Sequence, residues 1–215
     1  FAGFAVARNS TREYVFADYF SHILGYTAKI SPQEVKKHPD YFLTERVGRT
    51  GLELQYQSVL RGQPGKKEIE IDFLGREVRQ ISQTQPRPGN NIVLNIDSKL
   101  QRKIYDTLGK AINGESKGAA AIALDPRNGK LLALVSLPSF DNNLFIRGLS
   151  SQDLSLMEES ASKPFFNRSI SGQYPPGSTI KPLVAAAALE ERLISPTTKI
   201  ECLGSISVPS QYNPD

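Results

Sequence analysis

The sequence predicts an α+β fold, with antiparallel hairpins and helices in separate stretches rather than a regular alternation of strand and helix. Three observations carry this. Ala119–Leu124 and residues 130–135 are apolar runs flanking Asp125-Pro126-Arg127-Asn128-Gly129, a hairpin whose Asn-Gly pair supplies the positive φ angles of its turn. Ile69, Ile71 and Phe73 alternate with charged residues, and Gly75 turns the chain toward Val78 and Ile81, giving a second, half-buried hairpin. Between the hairpins, Gln85-Pro86-Arg87-Pro88-Gly89-Asn90-Asn91 is a turn-rich linker that separates residues 1–86 from residues 87–215.

Residues 1–47 mix aromatic and polar side chains without one dominant period. Ser31-Pro32-Gln33-Glu34 is a capping box with proline at the first helical position, so a short helix starts there and ends near His38-Pro39. Residues 50–62 read as one helix stopped by Gly62. After the linker, residues 92–96 read as a short strand. Asp97 or Ser98 then caps a helix whose inner face is Leu100, Ile104, Leu108 and Ile112, stopping at Asn113-Gly114. Residues 136–173 read as mostly loop with one short helix.

The chain has 215 residues, 39% hydrophobic and 22% charged, the balance of an ordinary folded protein with a sizeable core. Net charge is +4 and the pI about 9.1, but the basic residues are scattered, with only Lys36-Lys37 and Lys66-Lys67 as pairs. That is no nucleic-acid stripe. One cysteine, Cys202, excludes an internal disulfide. No apolar run reaches the roughly 18 residues of a membrane span. The chain opens at Phe1 without a methionine and reads as a piece of something longer.

The stretch that carries chemistry is Tyr174-Pro175-Pro176-Gly177-Ser178-Thr179-Ile180-Lys181-Pro182. It places Ser178 and Lys181 three residues apart, hence as neighbours, at the first turn of a predicted helix. A serine hydroxyl becomes a useful nucleophile when an adjacent base takes its proton, and an unprotonated lysine is such a base. The helix N-terminus and burial both disfavour the lysine's charge. Residues 183–189 are apolar on every side and read as a core helix. The Ser178 N–H is also placed to hold a developing oxyanion. From spacing alone, a plain cap with a solvated lysine stands level with this reading. A second Ser-x-x-Lys, Ser160 to Lys163, lies in a polar stretch stopped by Pro164 and reads as coincidence. His22, among aromatic and aliphatic neighbours, reads as a packed residue, and His38 as solvent-facing. With two histidines and no G-x-S-x-G elbow, a Ser-His-Asp triad has no support.

Seven stretches in order resemble the class B penicillin-binding proteins. They are Phe20-Ser21-His22-Ile23-Leu24-Gly25-Tyr26, then Gly48-Arg49-Thr50-Gly51-Leu52-Glu53 through Leu60-Arg61-Gly62, and Gly75-Arg76-Glu77-Val78-Arg79. Next come Leu94-Asn95-Ile96-Asp97 through Leu100-Gln101, Leu124-Asp125-Pro126 through Ser136, Asn167-Arg168, and Tyr174 to Pro182. Asn143-Leu144-Phe145-Ile146-Arg147-Gly148-Leu149-Ser150 resembles the elongation type, penicillin-binding protein 2.

The resemblance implies a pedestal (dimerisation-type) domain over 1–86 and the N-terminal portion of a serine-transpeptidase domain over 87–215, an antiparallel sheet with helices. It implies a D,D-transpeptidase of peptidoglycan in which Ser178 is the nucleophile and Lys181 the general base. Ser178 would attack the penultimate D-Ala carbonyl of a stem peptide, release the terminal D-Ala and pass the acyl group to an amine; β-lactams would acylate the same serine. The implied partners are peptidoglycan stem peptides, an MreC-type scaffold and a SEDS-type glycosyltransferase, at the periplasmic face of the bacterial inner membrane, with the parent protein membrane-anchored. No cofactor is required. Elongation-type members can carry zinc, and its first ligand would fall near Cys202; the preferred reading of Cys202 is a buried, inert thiol. The family's Ser-x-Asn and Lys-Thr-Gly stretches are absent from these residues, so little or no acylation is expected of this chain alone. Two alternatives remain: a pedestal acting mainly as a binding module, and a D,D-carboxypeptidase or β-lactamase that passes the acyl group to water, which the long segment before residue 87 disfavours.

Overall fold

A computed structural model describes residues 11–112, 118–199 and 204. The chain forms two compact units, Phe1–Gly172 and Gln173–Asp215.

The first unit begins with α1 (Ala17–Leu24), whose Gly25 N–H returns to the Ser21 carbonyl, followed by β1 (Thr27–Lys29). Ser31 opens α2 (Pro32–Lys37) as a complete capping box: its hydroxyl accepts from the Glu34 N–H at 3.3 Å, and the Glu34 carboxylate accepts from the Ser31 N–H at 2.8 Å. β2 (Arg46–Gly48) pairs antiparallel with β1. Gly25 and Gly51 lie at positive φ, 72° and 58°, where α1 meets the next helix; a Cβ on Gly25 would run into the Thr50 carbonyl.

The single helix expected over 50–62 is two short ones, α3 (Gly51–Gln55) and α4 (Gln57–Leu60). The break at Tyr56 (φ −110°, ψ 25°) aims Gln57 back at β2, where its Oε1 accepts from the Gly48 N–H at 2.8 Å. β3 (Lys66–Ile71) and β4 (Glu77–Thr84) then pair around Gly75 (φ 77°) as expected. Their burial is not as expected. Both faces are open, with Ile71 57%, Phe73 92% and Ile81 63% exposed, because among the described residues no second layer packs on the two strands. Ion pairs Lys67–Glu77 (2.7 Å) and Arg79–Glu70 (2.5 Å) cross the ribbon instead.

Asp97 caps α5 (Ser98–Ala111), accepting from the N–H groups of Lys99 and Leu100 at 2.9 and 3.0 Å. Residues 113 and 114, the expected stop, lie outside the described residues. β5 (Ala119–Leu124) and β6 (Leu131–Leu137) form the expected hairpin. Only Gly129 takes positive φ there (71°); Asn128 instead uses its side chain, donating to Asp125 Oδ2 at 3.0 Å and accepting from the Lys130 N–H at 2.9 Å.

The core sits on β6, where Ala133, Val135 and Leu137 are buried together with Phe140. α5 covers β6 through Gln101, which is 1% exposed: its Oε1 accepts from the Leu134 N–H at 2.8 Å, and its Nε2 donates to the carbonyls of Leu134 (2.8 Å) and Tyr19 (2.7 Å). This explains a difference from expectation at residues 92–96. They alternate in exposure like a strand but join no ladder, because the β6 edge they would need is occupied by Gln101 and by the Asp97 N–H, which donates to Leu132 O at 2.9 Å.

Residues 136–173 hold three helices rather than one: α6 (Asn143–Arg147), α7 (Ser151–Glu159) and α8 (Arg168–Ser171). Each is too short for its periodicity to show, but Ser150 and Asn167 cap the last two with side-chain oxygens. Polar side chains stitch the N-terminal stretch to this region. Tyr14 and Asn143 exchange two hydrogen bonds (2.9 and 3.0 Å), Asn142 donates to the Ser21 and Gly25 carbonyls, and Arg46 donates to the Phe145 carbonyl at 2.7 Å. In the second unit, a 3₁₀ turn (Gly177–Ile180) leads into α9 (Lys181–Glu190).

Candidate active site

Proline and glycine set the local backbone around Ser178. Pro176 precedes the 3₁₀ turn, Gly177 takes φ 55°, and the Lys181 N–H donates to the Ser178 carbonyl. The α-helix therefore begins at Lys181, with Pro182 in its first turn where a missing N–H costs little, and Ser178 sits on the tighter turn before it. Residues three apart eclipse in such a turn, which is the arrangement a serine and its base need. Thr179 closes the turn from within, its hydroxyl and its N–H both donating to the Pro176 carbonyl.

The burial expected here is not found. Ser178 and Lys181 are exposed, share no side-chain hydrogen bond, and lie beside an α9 whose Leu183 and Val184 are 66% and 59% exposed. An apolar sequence sets what a helix can bury; whether it does depends on elements packed over it, and among the described residues of its own unit no further helix or strand covers α9. The turn thus has the serine–lysine spacing read from the sequence, with both side chains exposed.

The second Ser-x-x-Lys is not a site. Ser160 ends α7, Lys163 takes φ 46°, and the Ser160 hydroxyl faces Ser162 at 2.8 Å. His22 is packed, as expected: its ring meets Phe140 edge-on at 5.4 Å, and burial pushes its pKa below the usual imidazole value. His38 is exposed, also as expected. Cys202 lies outside the described residues, and among the described residues no three His, Cys, Asp or Glu side chains converge, so none of these builds a zinc site. Among the described residues no helix is long and apolar enough to cross a membrane.

One feature escaped sequence reasoning. A cleft of about 320 Å³ opens between α2, β2 and α3, floored by Ile30 and Val47 and rimmed by the Glu34–Arg49 ion pair. The Arg49 guanidinium beside Glu34 holds that carboxyl down at about 2. The lining residues are spread from Ile30 to Gln57 over several elements, so no motif announces the cleft.

Two family descriptions match the chain: the penicillin-binding protein dimerisation domain over residues 1–94 and the penicillin-binding protein transpeptidase domain over residues 119–214. The peptidoglycan D,D-transpeptidase MrdA of Escherichia coli K12 is 38% identical over 206 residues, covering 93% of this chain and 32% of that protein. The Acinetobacter baumannii MrdA is 35% identical, covering 97% and 30%. The crystal structure of Pseudomonas aeruginosa PBP2 in complex with WCK 5153 superposes with a TM-score of 0.72 at 38% identity, over 88% of this chain and 37% of that one. The Helicobacter pylori complex between PBP2 and MreC gives 0.73 at 30% identity, over 88% and 34%. The chain spans about a third of the length of the curated relatives it matches.

Proposed function

Because this chain belongs to the penicillin-binding protein family, combining a dimerisation-type pedestal with the start of a transpeptidase domain, we propose that it is the front part of a peptidoglycan D,D-transpeptidase of cell elongation. The observation that carries the proposal is the Ser178–Lys181 turn, a 3₁₀ turn feeding an apolar helix within the stretch that matches the transpeptidase domain.

In this reading Lys181 Nζ takes the Ser178 hydroxyl proton as Oγ attacks the penultimate D-Ala carbonyl, and the Ser178 N–H supports the oxyanion. The tetrahedral centre collapses, the C–N bond to the terminal D-Ala breaks, and the proton passes to the departing amine. An amine from a neighbouring stem peptide then replaces serine on the acyl carbon. A β-lactam follows the first half and stops there as an acyl-serine. Lys181 needs a neutral amine for this role, which calls for a layer packed over the turn.

Residues 1–86 act as the pedestal and 87–215 as the front of the catalytic domain; the division is one of role, since hydrogen bonds such as Tyr14–Asn143 tie the two stretches together. The H. pylori PBP2–MreC complex supports a scaffold partner of MreC type; in this reading the pedestal receives it, alongside a SEDS-type glycosyltransferase, at the periplasmic face of the inner membrane. The exposed β3–β4 ribbon is the surface offered to such a partner.

Fluorescent penicillin labelling tests the acyl-transfer reading. A polypeptide carrying these residues together with the remaining transpeptidase stretches is expected to form one adduct, lost in Ser178→Ala and slowed at least 100-fold in Lys181→Ala. The 215-residue chain alone is expected to form none. Labelling that survives Ser178→Ala overturns the assignment.

A further inference from the structure

His22 occupies a position that the acyl-transfer reading does not use. Its Nε2 lies 2.9 Å from the Pro164 carbonyl, 142 residues away in sequence, and its Nδ1 lies 3.4 Å from the hydroxyl of Ser21, which is 1% exposed. A carbonyl only accepts, so Nε2 carries the hydrogen, and the neutral ring leaves Nδ1 to accept from Ser21. This tautomer gives both ring nitrogens a partner.

Pro164 belongs to a strap, residues 160–171, bound by its own cation. Arg168 donates to the carbonyls of Ser162 (2.6 Å), Lys163 (3.2 Å) and Phe166 (3.4 Å), and its N–H donates to Ser136 Oγ at 2.9 Å. His22 is thus the side chain by which α1 holds the strap. The groups around the ring are few: Ser21 from α1, Phe140 from the segment after β6, and the strap's Pro164 carbonyl with Arg168 as its charged member.

We infer that His22 is an acid-sensitive latch, closing the strap against α1 when neutral and releasing it when protonated. A proton on Nδ1 removes the acceptor of the buried Ser21 hydroxyl. It also sets a second cation near Arg168, in a half-buried place edge-on to Phe140. Burial and Arg168 both lower the pKa of His22, opposed by the Pro164 hydrogen bond. The closed latch therefore binds its proton less readily than an open one, near 6.5. Closure is fully favoured above pH 6.5 and is lost as pH falls from 6.5 toward the lowered value, by up to about tenfold per pH unit in that window. The strap continues directly into Gln173-Tyr174-Pro175-Pro176, the segment that leads to Ser178. The latch itself is independent of the acyl-transfer reading.

Amide hydrogen exchange of the 215-residue chain between pH 8 and 5, corrected for intrinsic rates, tests the latch. Strap amides at 163–171 are expected to lose protection in step with the His22 imidazole resonances, while Leu134 and Gly48 keep theirs. His22→Gln, whose amide can donate to Pro164 without titrating, should hold the strap closed across the range; His22→Asn serves if that variant does not fold. His38→Gln should behave as wild type. Strap protection that stays flat through the His22 titration overturns the inference. So does the same acid loss in the glutamine variant, or parallel loss at Leu134 and Gly48.

Discussion

A glutamine side chain is the right length to imitate the edge of a strand, and Gln101 does so. Its amide meets both backbone groups of Leu134 inside the core and the half-buried Tyr19 carbonyl beside it. Replacing it by leucine keeps the volume and strands the two buried backbone groups of Leu134, each worth about 1–3 kcal/mol when unpaired. Gln101→Leu is expected to destabilise the chain by about 3 kcal/mol or more, read as a lowered urea midpoint at unchanged slope. A midpoint within error of wild type would show that water reaches these groups. The sequence gives no local sign of this role. The apolar rhythm of Leu100, Ile104 and Leu108 marks the inner face of α5, and a polar residue beside it reads as solvated. The role of Asn142 and the partner of His22 escaped notice for the same reason: the groups they bond are 117 to 142 residues away, and no short-range pattern encodes such a pair.

At the scale of elements, what is written locally was readable and what depends on a neighbour was not. The capping box at Ser31, the Asp97 cap and the turns at Gly75 and Gly129 involve atoms within a few residues, so sequence places them. Residues 92–96 show the opposite case, since alternation is present but a strand also needs a free edge to pair with. The β3–β4 ribbon shows it again. Alternation tells which side chains share a face; it does not say that a layer exists to cover them. Uncovered, the tip residues Phe73 and Leu74 are 92% and 62% exposed, and such apolar residues mark interaction surfaces. If the ribbon is where an MreC-type partner docks, Phe73→Asp with Leu74→Ser should weaken capture of an MreC ectodomain by the full chain. A loss on the order of 30-fold fits a pair that includes one hot spot of about 2 kcal/mol. The same change should move stability by no more than about 0.5 kcal/mol, because neither side chain packs on anything. Undiminished capture would send the search to the Glu34–Arg49 cleft instead.

For the molecule as a whole, the decisive tension lies in α9, where an apolar helix stands in water. Leu183 and Val184 are 66% and 59% exposed, with Leu193 beyond the helix at 78%. The sequence reading of a core helix and the observed exposure agree if the layer that buries α9 is made by residues outside this chain, which spans about a third of its relatives' length. If Ser178 and Lys181 do acyl transfer, the same layer would desolvate Lys181 and wall in Ser178, and burial of α9 and assembly of that site would be one event. Leu183→Glu with Val184→Glu separates the two contexts. In the 215-residue chain the pair is expected to leave the urea midpoint within about 0.5 kcal/mol and to reduce dye binding to apolar surface and self-association. In a polypeptide that includes the rest of the transpeptidase domain, two unpaired carboxylates would enter the core, and penicillin labelling at Ser178 should vanish with the fold around it. Labelling that persists there would mean α9 stays at the surface in the longer protein too, and that Lys181 must lose its proton without burial.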